Sequence, residues 1–373
     1  MKMIRKTALI LLSLVLIALS FNPVQVQSKS DNAASFNDSV NVSFPGSITF
    51  NLDIDTERQI KDIRLHYIVE RESFTDVTQE ITVGFPMPIQ PEMTVGWKWD
   101  MRTTGSLPSG TIIQYWWTVI DIENNLYRTE TASVSFDDSG YNWKNITQNN
   151  ITLYWYSGDD GFATDLMQTC QDTLLRLGED TGAYLESPVR IYIYSSSYAL
   201  REAIVFAKEW TGGVAYPSYG AIAIGISRSN MEWGRRALSH ELAHLVTYQM
   251  TSNPYNSIPV WLNEGISMYA EGELEADYEN YLKAAAVGGY LISVQSLCSP
   301  FSAYSDKSYL SYAESYSIVD FLIEKYGQQK IHQLLTVFKA GSTYDNALLE
   351  VYGYDLAGLN KQWQDYISAI YVS

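Results

Sequence analysis

The sequence has little histidine, little cysteine and few basic residues, and each shortage excludes a class of protein. Its 373 residues include 25 lysines and arginines against 42 aspartates and glutamates, which gives a net charge of −17. Because so acidic a surface repels phosphate backbones, we expect no nucleic-acid partner. Two cysteines cannot build a disulfide-rich scaffold or a cysteine-based zinc ribbon. Whether Cys170 and Cys298 form a disulfide is left open by the sequence.

The first 28 residues have the pattern of a secretory signal peptide. Lys2, Arg5 and Lys6 precede an apolar run over residues 7–21, and polar residues follow at once. That run is shorter than the ~20 apolar residues that a membrane-spanning helix needs. We therefore expect signal cleavage, no transmembrane span in the mature chain, and a secreted or extracytoplasmic location. An uncleaved N-terminal anchor is the alternative.

Residues 36–140 read as short strands separated by turns, with no helical periodicity between them. This pattern predicts an antiparallel β-sandwich of the immunoglobulin or fibronectin III kind. The tryptophan-rich segments 97–99 and 115–117 are expected in the inner core, and a sugar platform that contacts the cell envelope is the alternative. The predicted strands lie within residues 40–44, 48–52, 63–69, 115–120 and 132–136.

From about residue 150 the pattern changes to a mixture of strands and helices. Three strands are predicted at residues 152–156, 189–194 and 221–226, and the chain after Met231 is mostly helical. The whole chain is therefore predicted to be α+β, with a sandwich followed by a largely helical domain that contains a small mixed sheet.

The most informative residues are two of the four histidines in the chain. His240 and His244 lie in a segment whose apolar residues recur at helical spacing. Four residues apart on one helix, the two imidazoles project from the same side and can bind one ion. Glu241 points to the same region without needing to contact the ion. The other histidines, His66 and His332, are expected to be structural.

Glu264 is the predicted third ligand. It lies at the start of a second predicted helix, after two prolines, and 19 residues separate it from His244. Two histidines and a glutamate leave a coordination position for water, which is the arrangement of a catalytic zinc site. We therefore predict one Zn²⁺ per chain, which would acidify water and polarise a carbonyl group. Glu241 is the predicted general base.

The His-Glu-x-x-His segment, residues 240–244, followed by Trp-Leu-Asn-Glu-Gly, residues 261–265, resembles the gluzincin metallopeptidases, and most closely the bacterial peptidase MA-like families. The resemblance covers about residues 150–373. It implies a thermolysin-like, mostly helical domain, and the same three ligands and base. It also implies that residues 222–226 are the edge strand along which an extended peptide binds.

The resemblance further implies a group that stabilises the oxyanion, often a tyrosine. Tyr312 starts a predicted helix much as this tyrosine does in the aminopeptidase N branch, and Tyr316, one turn later, is the alternative. The chain departs from the family at two points. The Gly-x-Met-Glu-Asn signature that holds a free substrate amine is absent, which favours an endopeptidase. Met268 occupies the position of the aspartate that orients the first histidine, so the partner of His240 is not identified from the sequence.

These observations predict a secreted zinc metallopeptidase that acts on peptides or proteins. The alternative from another class is a cell-surface or carbohydrate-binding protein in which the sandwich binds and the peptidase-like domain is inactive. A zinc hydrolase that acts on a non-peptide amide or an epoxide is a third interpretation.

Overall fold

The structure, a computed structural model, describes residues 34–208, 211–302 and 304–372. The predicted signal peptide, residues 1–28, lies outside this range, so its prediction is untested. Among the described helices, none has both the length and the apolar composition that crossing a bilayer would require.

The N-terminal part consists of two antiparallel sheets. One has the strand order β1-β2-β5, and the other has the order β4-β3-β6-β7, with β8 also paired to β6. A four-residue helix, α1, Met101–Thr104, follows β5. The strands are β1 Ala34–Ser43, β2 Ser47–Thr56, β3 Ile60–Val69, β4 Gln79–Thr82, β5 Glu92–Asp100, β6 Thr111–Asp121, β7 Leu126–Arg128 and β8 Ala132–Phe136.

The two sheets share one hydrophobic core, as their alternating sequences predict. Phe50 and Trp99 from the first sheet and Trp117 from the second are buried in it, and Trp97 packs against Phe50. Trp116 lies on the outer face, where it stacks on His66. Trp99 and Trp117 are therefore core residues, which confirms the expectation for most of the tryptophan-rich segments.

A mixed five-stranded sheet follows, with strand order β12-β13-β11-β10-β9. The three central strands are parallel, and both outer strands run antiparallel to their neighbours. The prediction that residues 222–226 form the edge strand is wrong, because β12 folds back antiparallel on β13 and covers its edge. The strands are β9 Lys144–Gln148, β10 Ile151–Trp155, β11 Val189–Tyr194, β12 Gly213–Tyr216 and β13 Ala221–Gly225.

The rest of the chain is helical, as predicted. Most of the helices after β13 surround a second core that includes Trp261, Phe338 and Trp363. Cys170 is buried, Cys298 is partly buried, and the two are not bonded to each other. The helices are α2 Asp160–Thr181, α3 Ser197–Glu202, α4 Met231–Thr251, α5 Val260–Ala270, α6 Ala276–Gly288, α7 Ser305–Tyr326, α8 Gln328–Lys339, α9 Tyr344–Tyr352 and α10 Leu356–Tyr371.

Candidate metal centre

Helix α4 presents His240 and His244 on one side. The rings of the two histidines are 4.8 Å apart between centroids. The opposite side of the helix buries Leu238, Leu242 and Leu245 against the mixed sheet. Because this apolar stripe fixes the rotation of α4 about its axis, both imidazoles project toward Glu264, and His240 lines the cleft beside it.

Helix α5 supplies Glu264. The helix begins after Pro259, which serves as its N-cap residue. Gly265 allows a close approach to α7, because a Cβ at this position would clash with the backbone carbonyl of Ser315. This close packing of α5 on α7 fixes the position of α5, and with it the position of Glu264 relative to the histidines of α4.

The three predicted ligands lie together. One potential ligand atom from each of His240, His244 and Glu264 lies within 4.8 Å of the other two. The Oε2 atom of Glu264 is 3.4 Å from Nε2 of His240 and 3.6 Å from Nε2 of His244. The geometry thus brings the two nitrogens and one oxygen into one group, as the spacing of the residues predicts.

The remaining nitrogen of each imidazole has its own partner on or at the end of α5. Nδ1 of His240 lies 2.8 Å from Oε1 of Glu271. Nδ1 of His244 lies 3.0 Å from the hydroxyl of Ser267, which donates its proton to the carbonyl of Asn263. The Ser267 oxygen must therefore accept from Nδ1–H, and the Nε2 atom of each histidine is the one that faces Glu264.

These residues fit a zinc ion. The Oε2 atom of Glu264 is buried and has no hydrogen-bond partner, which is costly unless a cation satisfies it. Burial lowers the pKa of His240, but the neighbouring carboxylates of Glu264 and Glu271 outweigh this effect and raise the pKa to about 10. The surroundings therefore favour positive charge, and two imidazoles with one carboxylate are ligands that zinc prefers.

Glu241 lies beside this group and against strand β12. Its carboxylate lies close to the backbone of this strand, since a Cβ on Gly213 would lie 2.8 Å from its Oε1 atom. Burial raises the pKa of Glu241, while the nearby histidines and the Ala215 N–H act in the opposite direction. A carboxylate with a raised pKa next to a metal site is suited to accepting a proton.

The structure separates the two candidate tyrosines. Tyr312 lines the cleft, with its ring centroid 6.4 Å from that of His240, and it packs edge-on against Phe301. Burial, together with nearby carboxylates, raises the pKa of Tyr312, so its hydroxyl stays protonated. Tyr316 stacks on Tyr269 instead and is not among the residues that line the cleft.

The cleft in front of the group has a volume of about 560 Å³. Its walls carry exposed aromatic side chains, including Phe206 at 76% and Trp233 at 39% exposure. Tyr278 and Tyr309 contribute further aromatic surface on the side of α6 and α7. A space of this size can accept several residues of an extended peptide.

Glu271 and Ser267 are site residues that the sequence analysis did not identify. They follow Glu264 by seven and three residues, so all three lie along one side of α5. The carboxylate of Glu271 is also close to Arg236, whose Nε is 3.4 Å from Oε2. The only sequence signal for them is their spacing of three and seven residues from the ligand glutamate, which places them on its side of α5.

A sequence model of the Peptidase MA superfamily matches residues 169–369 of the chain, which is more than half of its length. The match includes both ligand helices, and it confirms the resemblance to the peptidase MA-like families. No curated protein sequence is detectably similar to the chain.

Three solved structures are similar to parts of the chain. An aminopeptidase N family protein from Idiomarina loihiensis is 13% identical, with 88% of this chain and 76% of that chain covered and a TM-score of 0.39. Legionella pneumophila aminopeptidase A is 10% identical, with 89% and 48% covered and a TM-score of 0.41. A family 56 carbohydrate-binding module that binds β-1,3-glucan is 16% identical, with 27% and 98% covered and a TM-score of 0.17. At these TM-scores the similarities establish neither fold nor function.

Proposed function

The chain belongs to the Peptidase MA superfamily, and from this premise we propose that it is a secreted, zinc-dependent endopeptidase. One observation carries the proposal. His240, His244 and Glu264 converge, with both Nε2 atoms facing a buried carboxylate oxygen that has no hydrogen-bond partner. A zinc ion held by these residues would acidify water and polarise a substrate carbonyl.

The residues of the chain have distinct roles in this proposal. Glu241 accepts the proton of the attacking water and passes it to the leaving amine, and its raised pKa suits both steps. Tyr312 remains protonated and donates a hydrogen bond to the oxyanion as the carbonyl becomes tetrahedral. The substrate binds as an added strand along β12, the free edge of the mixed sheet beside Glu241.

The mechanism is tested by comparing the wild type with Glu241→Gln on a casein-type substrate. Because the glutamine keeps the shape of the side chain but cannot accept the proton, we expect kcat to fall by about 10²–10⁴ with one zinc per chain retained. Equal activity of the two proteins would contradict the role of Glu241. A matched control is Glu350→Gln, a change on the exposed surface of α9.

The endopeptidase assignment needs a separate experiment. It is supported by the absence of the Gly-x-Met-Glu-Asn signature from the sequence. We expect cleavage of an internally quenched peptide that is blocked at both ends, and little release of fluorophore from single amino-acid amides. The reverse preference would make the protein an aminopeptidase with the same metal centre.

The domain boundaries and the location complete the proposal. We propose a signal peptide over residues 1–28, an immunoglobulin- or fibronectin III-like sandwich over residues 36–140 and a peptidase domain over residues 150–373. The two antiparallel sheets around one core support the sandwich, and the basic start followed by an apolar run supports export. N-terminal sequencing of the exported protein is expected to begin after Ser28 or Ser20.

A further inference from the structure

The cleft in front of the metal centre carries an aromatic wall, a name used here for the side chains of Phe206 and Trp233. Both side chains line the cleft, and they are 76% and 39% exposed. Polar residues, including Thr211 and Arg236, line the same cleft. Apolar surface that is gathered in a cleft and rimmed by polar residues is typical of a ligand-binding site. The aromatic wall is therefore suited to contacting part of a substrate.

Trp233 lies close to the proposed general base. It precedes His240 by seven residues on α4, and two helical turns bring both side chains to the same side of the helix. Its indole lies against Gly212, because a Cβ added there would be 2.7 Å from two of the ring atoms. The next residue, Gly213, approaches Glu241 almost as closely, at 2.8 Å. Trp233 and the base therefore contact adjacent residues of the chain, whose Cα atoms are about 3.8 Å apart.

The backbone against which Trp233 packs is fixed by the mixed sheet. The carbonyl of Gly212 accepts a hydrogen bond from the N–H of Gly225, at the end of β13, over 2.9 Å. A larger residue in place of Gly212 would push the indole away from this backbone. The apolar face of Trp233 is thus held within one residue of the chain that borders Glu241, next to the place where the substrate carbonyl would react.

Phe206 has a backbone conformation that its side chain disfavours. Its φ angle is 61°, in the left-handed region that bulky residues rarely adopt. The side chain regains little of this cost by burial, since most of it is exposed. The neighbouring Val205 packs against the hydrophobic core of the sandwich, which holds the chain in place beside Phe206. An exposed aromatic residue kept in a strained conformation at a cleft is a candidate for function rather than for stability.

The arginine in the cleft is engaged by carboxylates of the protein. The Nε atom of Arg236 is 3.0 Å from Oε1 of Glu275 and 3.4 Å from Oε2 of Glu271. Its guanidinium also donates to the carbonyl of Glu273 over 3.1 Å. A guanidinium with these partners does not need an acidic side chain of the substrate to satisfy it. The chemistry of the wall therefore favours an apolar ligand over an acidic one.

We propose that the aromatic wall binds one large apolar side chain of the substrate beside the scissile bond. The substrates are then peptides with a residue such as phenylalanine next to the bond that is cleaved. This inference rests on the proposed function and deepens it, because it names the substrate class of the same cleft. Phe206 and Trp233 determine specificity in this proposal, and neither acts on the water or on the metal.

The test uses internally quenched peptides, blocked at both ends, that carry phenylalanine, alanine or glutamate at each position flanking the scissile bond. At one of these positions we expect the wild type to prefer phenylalanine to alanine by about 10- to 100-fold in kcat/KM, because an aromatic side chain is buried there. Trp233→Ala is expected to reduce this ratio to a few-fold, whereas Trp233→Phe keeps a ring and is expected to retain most of it. A ratio of two substrates is unaffected by a loss of active protein.

Phe206→Asn separates specificity from stability, because asparagine tolerates the left-handed region. The midpoint of unfolding is expected to stay unchanged or to rise, while the preference for phenylalanine falls about 2- to 10-fold with the loss of one aromatic contact. Phe74→Ala is the matched control, since this phenylalanine is 59% exposed and does not line the cleft. An unchanged ratio in both Trp233→Ala and Phe206→Asn would overturn the inference. So would a wild-type preference for glutamate, which would point to Lys208, a second cation that lines the cleft.

Peptide binding provides a measurement that does not depend on cleavage. The zinc-loaded Glu241→Gln variant is titrated into fluorescently labelled forms of the phenylalanine and alanine peptides, and the anisotropy gives both dissociation constants. We expect the phenylalanine peptide to bind about tenfold more tightly, and we expect Trp233→Ala in the same background to remove most of the difference. Equal dissociation constants would overturn the inference. If the wild type cleaves none of the peptides, the proposed function fails, while the two dissociation constants still decide whether the aromatic wall binds an apolar side chain.

Discussion

The Nδ1 atom of His240 lies 2.8 Å from Oε1 of Glu271, so a carboxylate seven residues after the ligand glutamate orients the first histidine. The family pattern places this carboxylate four residues after the ligand, where this chain has Met268. Arg236 lies on the other side of Glu271, with its Nε atom 3.4 Å from Oε2. This ion pair holds Glu271 at the end of α5 and keeps its negative charge directed at the imidazole.

We expect Glu271→Ala to weaken zinc binding by about 10- to 100-fold, because the change removes the acceptor that fixes the tautomer and orientation of His240. The dissociation constant can be measured by competition with a chromophoric chelator. Glu350→Ala, on the exposed face of α9, is the control and is expected to leave the constant unchanged. Equal zinc affinity of wild type and Glu271→Ala would show that Glu271 does not orient the ligand.

Much of this site could be predicted from the sequence, because its ligands follow local helical geometry. The positions of His240 and His244 are fixed by the spacing of one turn, and Glu264 follows from the start of the next helix. The partner of His240 could not be predicted in the same way. Glu271 is the C-cap residue that follows α5, so its contact with His240 depends on how α5 crosses α4.

In the fold, too, the features that follow from local sequence patterns were predictable and those that depend on tertiary contacts were not. The long strands of the sandwich were predictable. Apolar and polar residues alternate over eight positions in β2 and over six in β3, and β6 is rich in aromatic and β-branched residues. Strand β12 has four residues, two of them glycine and alanine, and it carries no alternation that a sequence pattern could detect. Its pairing with β13, and therefore the true sheet edge, is set by tertiary packing.

Gly213→Ala is expected to lower kcat strongly while zinc binding is retained. A Cβ at this position would lie 2.8 Å from Oε1 of Glu241, so the carboxylate must move away from the site. The three atoms nearest to the added Cβ all belong to Glu241 and none to a metal ligand, so metal analysis should still find one zinc per chain. Gly84→Ala is a matched control, since nothing lies within 4 Å of the added Cβ. If Gly213→Ala has the kcat of the wild type, the carboxylate of Glu241 can move away from the added Cβ and still accept the proton.

Tyr312→Phe is expected to lower kcat by about 10²–10³ with a much smaller change in KM, because it removes one donor to the oxyanion. Tyr316→Phe is the control from the same helix, since that ring packs on Tyr269 away from the cleft. Steady-state kinetics on one internally quenched peptide would compare both variants. A larger loss of kcat in Tyr316→Phe than in Tyr312→Phe would assign the role of oxyanion donor to Tyr316 instead.

Glu314 is a buried carboxyl group on α7 that the proposed reaction does not use. Its Oε1 atom accepts a hydrogen bond from the N–H of Ile292, over 3.0 Å, while Oε2 is buried without a partner. Burial raises the pKa of Glu314 to about 8, although the Ile292 N–H acts in the opposite direction. The group is therefore protonated in the folded protein across a pH range in which the unfolded chain has released the proton.

This difference predicts the sign of a pH effect on stability. Below a pH of about 4.3, the pKa of a glutamate in the unfolded chain, Glu314 is protonated in both the folded and the unfolded state. The contribution of the protonated Glu314 to stability is then fully present. As pH rises toward the folded value of about 8, the unfolded state is favoured by up to ~1.4 kcal/mol per pH unit. Glu314→Gln cannot release a proton, so we expect its free energy of unfolding to fall less between pH 5 and pH 8. Urea unfolding of wild type and variant at both pH values measures this difference, and parallel pH dependences would contradict the raised pKa of Glu314.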